Sequence, residues 1–188
     1  VHDACIATTY FTATTLDGFL ADEHHSLDWL LSQDVDPDGP GGHEPFMAGV
    51  GSLVMGASTY EWVRHHLAES GEGWPYPQPT WVLTHRDLPR VPGADLTFAT
   101  ADTAAEVRRL HATLVDAADG RDVWVVGGGG VAAALAAEGL LDALVVAIAP
   151  VTLGAGMPLL PGAFDLRLES VERNRAFVAA RYAVVGPR

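Results

Sequence analysis

Asp122-Val123-Trp124-Val125-Val126-Gly127-Gly128-Gly129-Gly130-Val131 is the stretch on which the fold turns. Asp122 to Val126 is apolar and β-branched, and reads as a strand buried on both faces. Val131 to Glu138 is alanine-rich and reads as a helix that Gly139 ends. The glycines between them put backbone N–H groups at the positive end of the helix dipole, where phosphate binds well. Without Cβ atoms a diphosphate can also come close to the chain. A glycine run can equally be a plain strand-to-helix turn, so the ligand reading depends on the remaining segments.

Those segments alternate between strand and helix patterns. Ala4 to Thr12 reads as a first strand, and Leu16-Asp17-Gly18-Phe19 as a turn. Ser26 to Leu31 reads as a short helix capped by Ser26. Asp34 to Gly42 is a polar Pro/Gly stretch that reads as an exposed, mobile loop. Glu44 to Val50 fits a second short helix, and Ser52 to Met55 a buried strand. Ser58-Thr59-Tyr60-Glu61 matches a capping box, which predicts a helix running to about Glu69. Gly71 to Pro79 is a loop, and Thr80 to Thr84 and Leu96 to Ala99 are strands. Thr103 to Ala118 has a helical apolar period, and Ala143 to Ala149 reads as a buried strand. Leu166 to Glu172 and Ala176 to Val185, joined by Arg173-Asn174-Arg175, read as a C-terminal antiparallel hairpin. The sum is one α/β domain over 1–188, with a mixed sheet and alternating helices.

Composition narrows the function. The chain has 188 residues, 48% of them hydrophobic, and a net charge of −13. So acidic a surface argues against nucleic acid and anionic membranes as partners. No apolar run approaches the roughly 18 residues of a membrane span. Val1 to Tyr10 lacks the basic start of a signal peptide, so a cytoplasmic location is expected. The single cysteine, Cys5, allows no internal disulfide and reads as a buried thiol on the first strand. His24-His25 and His65-His66 lack the spacing of a helical metal site, so no metal is expected.

A Rossmann dinucleotide fingerprint fits poorly. It needs its glycines after the first strand and an acid about 20 residues on. Here the glycines come late, and the next strand ends in Pro150 with no carboxylate at its tip.

Four segments, in order, resemble the dihydrofolate reductase-like fold. Thr14-Thr15-Leu16-Asp17-Gly18-Phe19-Leu20-Ala21 is similar to S-L-D-G-x-I-A, and Val54-Met55-Gly56-Ala57-Ser58-Thr59-Tyr60-Glu61 to M-G-R-x-T-[WY]-E. Val82-Leu83-Thr84-His85-Arg86 resembles V-L-[ST]-x-R, and Val125 to Val131 resembles V-x-G-G-G-x-[VL]. A fifth segment, Gly139-Leu140-Leu141-Asp142 with Ala149 to Gly156, resembles the riboflavin-biosynthesis reductase branch. The resemblance implies a three-layer α/β fold with a mostly parallel central sheet, helices on both faces and a C-terminal antiparallel hairpin. It also implies an NADPH-dependent reductase that acts as a homodimer on a small heterocyclic or carbonyl substrate.

Residue by residue, it implies a nicotinamide lined by Ala13 and Leu20. Gly56, Ser58 and Thr59 would grip the diphosphate from one side, and Val126, Gly127, Gly128, Gly129, Gly130 and Val131 from the other. Leu83, Thr84, His85 and Arg86 would hold the adenosine end, with the Arg86 fork suited to a 2′-phosphate. The alternative for His85-Arg86 is a solvated turn. Asp28, on the short helix after the first strand, holds the place of the acid that binds the substrate in folate reductases. It reads equally as an ordinary exposed helix acid. Trp29, Leu153 and Gly154 would flank the substrate. Asp17 reads as a cap on its own turn.

Three departures bear on the substrate. Ala147 stands where folate reductases carry a threonine, which disfavours a pterin. Phe19 stands where riboflavin-type reductases often carry a lysine. The zinc signature of an attached deaminase is absent. A folate-type reductase and a non-catalytic nucleotide-binding module remain as alternatives.

Overall fold

The computed structural model describes residues 6–188. Cys5 and the start of the expected first strand lie outside the described residues.

The chain forms β1 (Thr8–Thr15), β2 (Phe19–Ala21), α1 (Asp28–Leu31), α2 (His43–Met47), β3 (Val50–Gly56), α3 (Ala57–Ser70), β4 (Thr80–Leu83) and β5 (Leu96–Ala99). There follow α4 (Ala104–Ala117), β6 (Asp122–Val126), α5 (Gly129–Ala137), β7 (Ala143–Ala149), β8 (Met157–Pro158), β9 (Phe164–Asn174) and β10 (Phe177–Pro187). Eight strands make one sheet in the order β5-β4-β3-β6-β1-β7-β10-β9. The strands from β5 to β7 are parallel to their neighbours. β10 runs antiparallel to β7 and to β9, which closes the sheet with the expected hairpin. β2 and β8 pair separately.

Alternate residues of each central strand feed two cores. Tyr10, Val54, Val123 and Val125 meet Val107, Leu110 and Leu114 of α4 and Ala132 and Leu135 of α5. On the other face Leu53, Met55, Val82 and Trp124 meet Tyr60 of α3. Strands buried on both faces must be apolar throughout, which is why β6 and β7 are legible as continuous apolar runs. Each fully buried valine contributes on the order of 2 kcal/mol by leaving water.

The two cores fix where a ligand can enter. β3 and β6 are neighbours. The helix after β3 covers one face, and the helix after β6 covers the other. Adjacent parallel strands whose helices diverge leave a crevice at their carboxyl ends.

Three local expectations change. The glycine run is split: Gly127 is left-handed at φ 73°, Gly128 is the N-cap, and Gly129 and Gly130 are already helix. The capping box at Ser58 does not form. α3 starts at Ala57 behind Gly56, with no side-chain cap. The loop at 34–42 is anchored: the buried Asn174 amide donates to Asp36 O and Pro40 O, and its Oδ1 accepts from Asp36 N.

Candidate functional site

A cavity of about 270 Å³ opens at that crevice. β1 contributes Thr12 and Ala13, and β2 contributes Leu20 and Ala21. The segment between β2 and α1 brings His25 and Leu27, and α1 brings Leu30. Ser58, Thr59 and Trp62 come from α3, Gly127 and Gly128 from the glycine loop, and Met157 from β8.

The glycine loop is held from below. The Tyr10 hydroxyl donates to Gly127 O at 2.6 Å and also lies 3.0 Å from Leu159 O. Burial pushes the Tyr10 phenol far above its usual range, so it remains a donor. Across the crevice, Gly128 N donates to Thr59 Oγ1 at 3.2 Å. A Cβ on Gly127 would lie 2.5 Å from the same Thr59 oxygen, so this position needs glycine for space as well as for its φ. The starts of α3 and α5 face one space, and neither has a side-chain cap. Free first-turn N–H groups from two helices, with Ser58 and Thr59 hydroxyls beside them, suit the diphosphate of a dinucleotide.

Of the residues expected at the cofactor, Ala13, Leu20, Ser58, Thr59, Gly127 and Gly128 therefore meet in one cavity. Gly56 caps α3 and sits over Val131, whose Cγ2 would lie 3.7 Å from a Cβ there. Val126 is buried in the sheet core. Gly129 packs under the Pro158 and Leu159 carbonyls, and Gly130 faces open space. Leu83, Thr84, His85 and Arg86 cluster at the end of β4, outside the cavity. There Thr84 Oγ1 accepts from Arg86 N at 2.9 Å. His85 Nε2 lies 2.8 Å from Asp102 Oδ1, and Arg86 is forked onto Glu61.

The expected substrate residues are placed differently. Asp28 is exposed, and the residues that face the cavity around that helical turn are Leu27 and Leu30. A four-residue helix presents only one side inward, and here that side is apolar. Trp29 is buried against Ala149 and Phe177, and its indole N–H donates to Leu20 O. Leu153 and Gly154 do not line the cavity. Their amides donate to Asp17 at 3.1 and 2.7 Å. Asp17 thus does more than cap its own turn: it ties the loop after β7 to the turn after β1. The Thr15 hydroxyl and these amides hold its carboxyl below the usual carboxylate range. His25 was missed, because no motif marks it and its neighbour His24 is identical in type.

Over residues 75–176 the chain matches the RibD C-terminal domain family. It belongs to that family. Along nearly its whole length it is 27% identical to the uncharacterised protein YwjB of Bacillus subtilis, covering 93% of this chain and 96% of YwjB. A Shewanella sp. PV-4 crystal structure described as a riboflavin biosynthesis protein superposes with a TM-score of 0.74 at 26% identity, covering 95% of this chain and 99% of that one. Dihydrofolate reductase from Enterococcus faecalis, complexed with NADP(H), superposes at 0.56 with 14% identity, covering 95% and 96% of the two chains, and shares the fold. The fold is therefore dihydrofolate reductase-like, as the motifs imply. Among the described residues no group of histidine, cysteine and carboxylate side chains is arranged to hold a metal, and no helix is long and apolar enough to cross a membrane.

Proposed function

We propose that this member of the RibD C-terminal domain family is an NADPH-dependent reductase that transfers hydride to a small heterocyclic or carbonyl substrate. The observation that carries the reading is the meeting of two uncapped helix starts, at Ser58-Thr59 and at Gly127-Gly128, in one cavity with Ala13 and Leu20. Bound there, the cofactor would supply the hydride, and the protein supplies position and a dry pocket. Gly56 and Gly129 to Val131 shape the cradle. Leu83, Thr84, His85 and Arg86 are our choice for the adenosine end. Two solved relatives by fold agree with this chemistry: the Thermotoga maritima protein named as a deaminase and 5-amino-6-(5-phosphoribosylamino)uracil reductase, and riboflavin biosynthesis reductase Rib7 from yeast.

We place the protein in the cytoplasm as a homodimer. Leu168 and Val171 are more than half exposed on edge strand β9, which a second copy would cover. A pterin is the weaker substrate, because Ala147 lies beside Ala13 and Ala179 with no hydroxyl to offer. A non-catalytic nucleotide-binding module is the other reading, favoured by the outward placement of Asp28.

Titration with NADPH and NADH, read by nicotinamide fluorescence, tests the proposal. Saturable NADPH binding that Gly127→Ala abolishes supports it. Absence of binding to either nucleotide removes the reductase reading.

A further inference from the structure

With Asp28 facing outward, the cavity has one titratable side chain among the described residues. β1 offers Thr12 and Ala13, β2 offers Leu20 and Ala21, and α3 offers Ser58, Thr59 and Trp62. The glycine loop and Met157 offer no titratable group, and α1 offers Leu30. Among the described lining residues, His25 alone carries an imidazole able to donate a ring proton.

Its presentation is built. His25 is a non-glycine residue at φ 62°, a left-handed conformation that the surrounding turn imposes. Asp22 Oδ1 accepts from His24 N and Ser26 N, both at 2.8 Å, and Asp22 O accepts from His25 N at 3.1 Å. These bonds, with the charges of His24 and His25, hold the Asp22 carboxyl below its usual range. Strained backbone over-determined by its neighbours concentrates at working sites. Asp22, Glu23 and His24 are the titratable side chains of the same turn; among the described residues, the elements that face His25 across the cavity bring none.

His25 apart, the described lining of the cavity holds no cationic side chain. All 11 basic residues of the chain are arginine, and none lines it. With the helix-start N–H groups given to the cofactor diphosphate and His25 given to the reacting atom, a phosphate elsewhere on the substrate would meet no further counter-charge in the lining, on a protein of net charge −13. Leucine, tryptophan and methionine side chains fit an uncharged ring.

We infer that His25 is the proton donor to an uncharged, phosphate-free cyclic carbonyl or imine bound in this cavity. The inference rests on the reductase reading. His25 gives its ring proton to the substrate oxygen or nitrogen while the adjacent carbon accepts hydride from a nicotinamide dinucleotide. The C=X π bond is replaced by C–H and X–H bonds, the nicotinamide is oxidised, and water returns the proton to His25.

The test uses cyclohexanone, quinoxaline and 7,8-dihydropterin as uncharged probes and glyceraldehyde 3-phosphate as the charged one. Wild type and His25→Asn are compared, since asparagine tolerates the left-handed backbone. NADPH fluorescence is read first, then histidine ring resonances on probe addition, then NADPH consumption against pH. The expected result is an uncharged probe that moves the His25 resonances and is reduced. Its rate should fall as pH rises through the His25 midpoint seen in the ring titration. His25→Asn should keep NADPH affinity within about twofold and lose on the order of 100-fold in rate, with a flat profile over that range. Retention of rate and profile in His25→Asn overturns the inference. So does preference for the phosphorylated probe, or failure of every uncharged probe to bind and react while NADPH binds. Failure of the wild type to bind NADPH sinks the underlying reading instead, and this inference with it.

Discussion

Arg86 and Glu61 form a two-pronged ion pair, with guanidinium nitrogens 2.7 and 3.2 Å from the two carboxylate oxygens. The fork expected to receive a 2′-phosphate is therefore already matched to a carboxylate from α3. Any phosphate that binds Arg86 must displace Glu61. Exposed pairs of this kind are worth at most about 1 kcal/mol, so displacement is affordable but costs affinity. Glu61→Gln should tighten NADPH about three- to fivefold while leaving NADH unchanged. Arg86→Ala should weaken NADPH alone. Equal effects on both nucleotides in the fluorescence titration would place the 2′ position elsewhere.

Gly127→Ala should both destabilise the fold and abolish nucleotide binding. The new methyl would strain a φ of 73° and strike Thr59 Oγ1. A cost of about 1–3 kcal/mol is expected in urea unfolding. Thr59→Val is milder. It leaves Gly128 N–H without its partner, at about 1 kcal/mol, and should weaken nucleotide binding while the chain stays folded.

Asp17→Ala should free the loop at Leu153 and Gly154 and leave the sheet intact. Amide hydrogen exchange at those two residues is the readout, with β6 amides as the control. The wild-type contact also has a pH signature. The folded carboxyl titrates below its usual 3.8, so the tether is complete above that value and is lost as pH falls below it. Loss of protection at Leu153 and Gly154 in acid, measured against the intrinsic exchange rate at each pH and absent in the variant, would confirm the direction.

His111 sets a second pH dependence. Its ring lies 2.8 Å from Thr8 Oγ1, and burial lowers its pKa from 6.5, opposed by the Asp142 carboxylate. Above 6.5 the ring is neutral in both states. As pH falls through that value the unfolded chain takes up a proton that the folded protein resists, so stability drops. Tm should decline between about pH 7.5 and 5.5, and His111→Gln should reduce that decline. An unchanged slope in the variant would assign it to other groups.

Local signals in the sequence read well where one segment decides its own structure. β6 and β7 carry the bounds expected from their apolar runs. α4 follows its helical period and is capped by Thr103, whose capping box with Glu106 is formed. The same kind of box at Ser58 is not: the helix already begins at Ala57, and the Glu61 carboxylate is taken by Arg86. A capping pattern records what a side chain can do nearby, and a partner 25 residues away is invisible to it.

The sequence by itself determined the dihydrofolate reductase-like order of strands and helices and the place of the glycine loop between β6 and α5. Periodicity, turn chemistry and glycine sterics act over a few residues, and the chain spells them out. Only the tertiary structure decided which side chains face the cavity. It turned Asp28 outward, buried Trp29, tied Asp17 to Leu153 and Gly154, joined Arg86 to Glu61 and set the solvent-exposed His25 in the cavity lining. Those outcomes depend on where α1, the turn at Asp22 and α3 come to rest against the sheet, and long-range packing sets that after the local signals have been used.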